Sequence, residues 1–258
     1  MVYDRTNDVG KKVIRVIANW KMHGCLSAND KLLSTVLSNI EQMTDKVKIC
    51  VCVPFPYLAQ VKARLNGSRI EWGSQDVSAQ EQGPFTGEVA ATMIAEFGAR
   101  YTIVGHSERR IYHGECDRTI AQKTVRALSA GVTPIICIGE TLDQRKVGNI
   151  EQVIGMQIDS VLDLLTREQS MRIIVAYEPV WAIGTGNSMT STQAQKILSF
   201  LRRGLIKKGA ECVPLLYGGS VNPSNAAELF AQPDIDGGLI GSAALKAEDF
   251  IMICQAAC

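Results

Sequence analysis

Eight short runs rich in strand-forming residues recur along this chain of 258 residues: VIRVIANW (13–20), KICVCVPF (48–55), RIEWGSQD (69–76), YTIVGHS (101–107), TPIICIGE (133–140), RIIVAYEP (172–179), VPLLYGGS (213–220) and IDGGLIGS (235–242). Several are too apolar to alternate between a wet and a dry face, as expected of strands covered on both sides. Between them lie helical patterns with apolar residues three and four apart, among them 28–43, 119–131, 150–165 and 191–209. Eight strand–helix units in about 250 residues match the size of a closed (β/α)8 barrel, whereas an open doubly wound sheet seldom needs so many even repeats. No linker, proline-rich stretch or composition shift divides the chain. An α/β fold, one barrel domain over residues 1–258, is expected, with the polar residues 1–11 as a flexible N-terminal extension.

Charge narrows the possible partners. Twenty-seven Lys and Arg face 26 Asp and Glu, a net charge of +1, and no basic run suggests a nucleic-acid groove. The N-terminus lacks the apolar stretch of a secretory signal, and no segment reaches the roughly 18 apolar residues of a membrane helix. A soluble, cytoplasmic protein with neither nucleic-acid nor membrane partners is expected. The eight cysteines show no CxxC pair and no zinc-ligand spacing. Cys50, Cys52, Cys137 and Cys212 fall in or beside strand-like runs, and the cysteines are read as reduced core residues.

Polar residues collect where the apolar runs end: Asn19 and Lys21, Gln75 and Asp76, His106 and Ser107, Glu140, Glu178, Ser220 and Ser242. In a parallel barrel those ends share one rim, where barrel enzymes keep their chemistry. Helix capping accounts for Ser107 and Ser220 but not for Lys21 or Glu178, neither of which is a natural N-cap. Asn19 and Lys21, two apart, are expected to face the same way along the first strand, with Trp20 packed between them. Glu178 ends a strand-like run and precedes Pro179. A carboxylate buried there is costly unless it is paired or does chemical work.

The motifs ANWKM (18–22), IVGHSERR (103–110), AYEPVWAIGTG (176–186) and YGGSV (217–221) occur in the order and spacing of the triosephosphate isomerase family, and the resemblance runs from Val13 to Phe250. It implies a TIM barrel that interconverts dihydroxyacetone phosphate and D-glyceraldehyde 3-phosphate through an enediolate, in glycolysis and gluconeogenesis, with no cofactor and no metal. It further implies that Glu178 is the base and that His106 polarises the carbonyl and moves protons between oxygens. Lys21 would supply positive charge and Asn19 a polar contact, with Ser107, Glu108 and Cys137 in support and Glu108 close to Lys21. A helix beginning at HSER would favour a neutral imidazole. By the same resemblance Gly184, Ser220, Gly241 and Ser242 hold the phosphate, although YGGS and IGSAAL alone read as plain turns.

The resemblance also makes Pro179, Val180, Trp181, Ala182, Ile183, Gly184, Thr185 and Gly186 a mobile lid, with Tyr177, Glu140, Tyr217 and Ser220 as its latches. The loop SAQEQGPFTGEV (78–89) would insert into a neighbouring subunit of a homodimer. Phe85 and Thr86 stand at its tip, and Glu88 would pair with the partner's counterpart of Arg109. The sequence departs from the family at Ser242, where many members have glycine, and at Asn187, Ser188 and Met189, which replace a lysine-threonine-alanine or lysine-serine-alanine hinge. Two other functions remain open at this level: a phosphosugar aldolase using Lys21 as a Schiff-base nucleophile, and a barrel that binds phosphosugars or partners without turnover.

Overall fold

The computed structural model describes residues 12–40, 43–182 and 189–258. The expected extension 1–11, and Ile183, Gly184, Thr185, Gly186, Asn187 and Ser188 of the expected lid, lie outside the described residues. Eight parallel strands close on themselves: β1 (Ile14–Asn19), β2 (Val47–Val53), β3 (Ile70–Ser74), β4 (Tyr101–Val104), β5 (Thr133–Ile138), β6 (Ile174–Tyr177), β7 (Leu215–Tyr217) and β8 (Gly237–Ile240). Neighbours in sequence are neighbours in the ring, and β8 returns to β1 with Arg15 opposite Gly237 and Ala18 opposite Ile240. Each strand is shorter than its apolar run, because the last residues of most runs leave the ladder to start a loop, although Asn19 stays paired with Cys52.

Strand alternation divides the core in two. Val16, Ala18, Val51, Val53, Val104, Ile136 and Val175 pack outward against helices such as Leu26–Ile40, Asp117–Ser129 and Ser191–Lys207. Ile17, Cys50, Cys52, Ile103, Ile135, Cys137, Ile174, Ala176, Leu216 and Leu239 form a second cluster made of strand residues alone, which fills the barrel interior. Trp20 is fully buried.

All eight cysteines are free thiols. Cys50, Cys52, Cys137 and Cys254 are buried, but Cys25, Cys116 and Cys258 are exposed, which corrects the core assignment for those three. Cys25 and Cys116 lie beside helix starts, where backbone direction rather than hydrophobicity sets exposure. Among the described residues no helix is long and apolar enough to cross a membrane.

Candidate active site

The site lies at the C-terminal ends of the strands. β6 ends at Tyr177, and the main chain of Glu178 is held from both sides: its N–H donates to the Ile138 carbonyl at 2.8 Å, while the Gly218 N–H donates to the Tyr177 carbonyl at 2.7 Å. The approach is so close that a Cβ on Gly139 would stand 1.8 Å from the Glu178 carbonyl oxygen, so only glycine fits there. The carboxylate itself is 2 % exposed. Its Oε1 lies 2.9 Å from His106 Nε2, and its Oε2 accepts the Ser107 N–H at 2.9 Å.

His106 is the N-cap of the helix Ser107–His113, and its Nδ1 accepts the Glu108 N–H at 3.2 Å. In the neutral ring the proton therefore sits on Nε2, facing Glu178. Burial lowers the imidazole's pKa, but the Glu178 carboxylate, joined by Glu108, holds His106 above its ordinary value. Thus the neutral-imidazole influence of a helix start meets an opposing carboxylate. Burial likewise raises Glu178, but the His106 ring, the Ser107 N–H and Lys21 together bring the acid below its ordinary value. Cys137, sealed in the barrel beneath, is raised first by burial and then by the Glu178 charge.

Lys21 lies beyond β1 rather than on it. Its φ of 51° is left-handed, uncommon for a side chain other than Gly or Asn, and the Asn19 Oδ1 accepts the Lys21 N–H at 3.0 Å. Strand alternation therefore does not govern its direction, which corrects the expected placement on the strand. The ammonium nonetheless reaches the same cavity, crossing Gly241, whose added Cβ would lie 3.5 Å from Lys21 Cε. Its Nζ donates to Glu108 Oε1 at 2.5 Å.

Asn19, Lys21, His106, Glu178, Ser220, Gly241 and Ser242 all line one cavity of about 210 Å³, with Ala182 at its edge. Gly184 is outside the described residues. Six further residues of that lining were not singled out from sequence: His23, Gly218, Gly219, Val221, Leu239 and Leu245. The two glycines stand in the YGGSV motif and carried a signal; His23 carried none. Beside this cavity, Glu140 accepts the Tyr177 hydroxyl at 3.0 Å and the Trp181 Nε1–H at 2.9 Å. Burial first, and then Glu140, push the Tyr177 phenol far above its ordinary range, and burial pushes Tyr217 up to about 12. Pro179, Val180 and Trp181 follow Glu178 directly, with Val180–Ala182 in a 3-10 turn.

An adjoining cavity of about 600 Å³ shares Asn19, Lys21, His23 and His106 with the first and extends past Met22, Phe55, Gln75 and Tyr112. Arg109 lines it and is paired within the chain, to Asp76 at 2.9 Å and Glu115 at 2.5 Å. Lys123 completes a ring of alternating charge, 2.6 Å from Asp76 and 2.5 Å from Glu115. Phe85 is 41 % exposed on the loop 78–89, with Thr86 and Glu88 exposed beside it.

Residues 14–257 match the family model described as triosephosphate isomerase. The chain is 56 % identical over 244 residues to the triosephosphate isomerase of Cupriavidus necator, covering 93 % of this chain and 98 % of that protein. It is 55 % identical to that of Cupriavidus taiwanensis over the same shares, and 54 % identical to that of Ralstonia nicotianae, covering 93 % and 97 %. With its closed eight-stranded barrel and a match along nearly its whole length, the chain belongs to the triosephosphate isomerase family.

Proposed function

We propose that this chain interconverts dihydroxyacetone phosphate and D-glyceraldehyde 3-phosphate, with Glu178 as base, His106 as the proton donor to the substrate oxygens, and Lys21 as the positive charge beside the developing enediolate. The observation that carries the reading is the 2.9 Å contact between His106 Nε2 and Glu178 Oε1 at the wall of a cavity that Lys21 also enters. An imidazole N–H and a carboxylate so placed can address a carbonyl oxygen and the hydrogen on the neighbouring carbon. A substrate carbonyl that takes the Nε2–H releases Glu178 Oε1, so binding itself sets the base free. Glu178 then removes the proton from one carbon and returns it to the next, and His106 passes protons between the two oxygens. Lys21 stabilises the negative charge that builds up between these steps.

Asn19 contributes a polar contact and fixes Lys21 through its backbone. Ser220, Gly241 and Ser242, in the turns after the seventh and eighth strands where barrels commonly bind phosphate, receive it in this reading together with Gly184. Ser107 and Glu108 hold the base and the ammonium, and Cys137 underlies the acid. Pro179 through Gly186 shield the intermediate from water, which protects an enediolate phosphate from elimination.

The protein acts as a homodimer in the cytoplasm on this proposal. In that dimer the projecting loop with Phe85 and Thr86 would enter the partner's 600 Å³ cavity, and the exposed, apolar Met22 and Tyr112 in its lining support this reading. Glu88 of one subunit would approach Arg109 of the other.

A coupled assay on D-glyceraldehyde 3-phosphate tests the activity, and borohydride trapping with dihydroxyacetone phosphate tests the aldolase alternative. Turnover without a covalent adduct is expected, because an ammonium paired with Glu108 is a poor nucleophile. A trapped Lys21 adduct would reverse the conclusion.

A further inference from the structure

Glu140 is a carboxylate with 0 % exposure, and it does not line the catalytic cavity. Its oxygens accept from Tyr177 Oη at 3.0 and 3.1 Å and from Trp181 Nε1 at 2.9 Å. Tyr177 immediately precedes Glu178 and Trp181 follows it by one short turn, so a single buried anion grips the chain on both sides of the base. Such an anion is costly unless a cation stands against it. Arg145 supplies one: its Nη1 lies 3.1 Å from Glu140 Oε1, and its guanidinium carbon lies 4.4 Å from the centre of the Trp181 ring. One side chain therefore neutralises the anion and covers the indole that the anion holds.

The local sequence explains how Arg145 gets there. Thr141 caps the helix Leu142–Lys146 with a reciprocal box, its hydroxyl accepting the Gln144 N–H while Gln144 accepts the Thr141 N–H. This fixed turn carries the chain back over Glu140 within five residues. Arg145 does not line the cavity, and its guanidinium meets Glu140 and the Trp181 ring, so its influence on chemistry passes through Glu140.

We propose that Arg145 is a positioning residue for Glu178: it compensates the buried Glu140, which in turn fixes Tyr177 and Trp181 on either side of the base. The inference rests on Glu178 as the base. The charged and titratable groups facing Glu140 are Arg145 from the helix Leu142–Lys146 and Tyr177 from β6, with Trp181 as a neutral donor.

The test compares wild type, Arg145→Met, Arg145→Lys, Glu140→Gln and the Arg145→Met/Glu140→Gln double variant. Values of kcat and KM are measured, with 19F NMR of the 5-fluorotryptophan-labelled proteins and Trp181→Phe to assign the resonance. Arg145→Met should lower kcat about tenfold, less than the roughly hundredfold cost of an ångström of misplacement, and leave KM within about twofold. Arg145→Lys should restore part of kcat. On the Glu140→Gln background, removing Arg145 should change kcat by no more than about twofold, since no charge is left to compensate. The Trp181 resonance should move in Arg145→Met and return toward wild type in Arg145→Lys.

Equal losses on both backgrounds, or an unmoved Trp181 resonance, would overturn the proposal. A moved resonance with unchanged kcat would overturn it as well. The resonance assumes nothing about Glu178, whose role is tested separately by its own substitution, so the two readings fail by different signs.

Discussion

His106 Nε2 stands 2.9 Å from Glu178 Oε1, and the other oxygen of that carboxylate is taken by the Ser107 N–H. Both carboxylate oxygens are thus engaged, and on the proposed reading the path to chemistry runs through exchanging one of those bonds for a substrate atom. Reach and direction of the carboxylate then matter as much as its basicity.

Shortening Glu178 to Asp retracts the carboxylate by one methylene while the backbone stays clamped by Ile138 and Gly218. The coupled assay should register a fall in kcat on the order of a hundredfold with little change in KM, the scale expected from misplacing a reacting group. Unchanged turnover would remove Glu178 from the role of base.

The same pair makes stability depend on pH. His106 is held above its ordinary 6.5, against burial, by the Glu178 charge, so its pairing contributes fully below 6.5 and the contribution is lost as pH rises through the folded value. Glu178 is held below its ordinary 4.5, against burial, by His106, Ser107 and Lys21, so its contribution is present above 4.5 and is lost as pH falls through the folded value. Both operate between 4.5 and 6.5. In urea unfolding, His106→Gln should therefore destabilise the protein more at about pH 5.5 than at about pH 8.5; a difference of the opposite sign would contradict the pairing.

Lys123 is only 5 % exposed and stands between Asp76 and Glu115. Replacing it by Met leaves Arg109 facing two buried carboxylates alone. A loss of about 3 kcal/mol is expected, the lower end for breaking a buried pair because Arg109 still compensates part of the charge. Chemical denaturation monitored by circular dichroism measures it, and a loss within the error of the method would show that the ring is not the structural joint it resembles.

Placing a charge at the tip of the loop 78–89 tests the proposed assembly. Phe85→Asp should shift sedimentation from dimer to monomer at micromolar concentration, since a carboxylate at the centre of an apolar contact must be desolvated. A wild-type chain that sediments as a monomer would remove the dimer altogether.

The barrel could be read from sequence because each strand is covered on both faces, which leaves uninterrupted apolar runs such as IIVA before Tyr177 and IICI before Gly139. Run ends were less legible. The apolar run 213–220 yields only Leu215–Tyr217 as strand, since Gly218 and Gly219 turn away to make room for Glu178 and Tyr217. Lys21 shows where periodicity stops being informative: once the chain leaves the ladder, its direction is set by the Asn19 side chain and a left-handed backbone rather than by alternation. Arg145 looks like any helix-surface arginine, because its partners Glu140 and Trp181 come together only in the folded barrel. Lys123 left a fainter trace, a charge three residues after Ile120 on the buried side of its helix.

The ring of strands has one further bearing. Because β8 hydrogen-bonds back to β1, the sheet has no border strand, and its ladder groups have no open row to offer another chain. Any contact between copies is left to side chains on the loops and helices outside the ring, so the proposed dimer would be lost by altering a few residues of the loop 78–89 without disturbing the ladder below the acid and the imidazole.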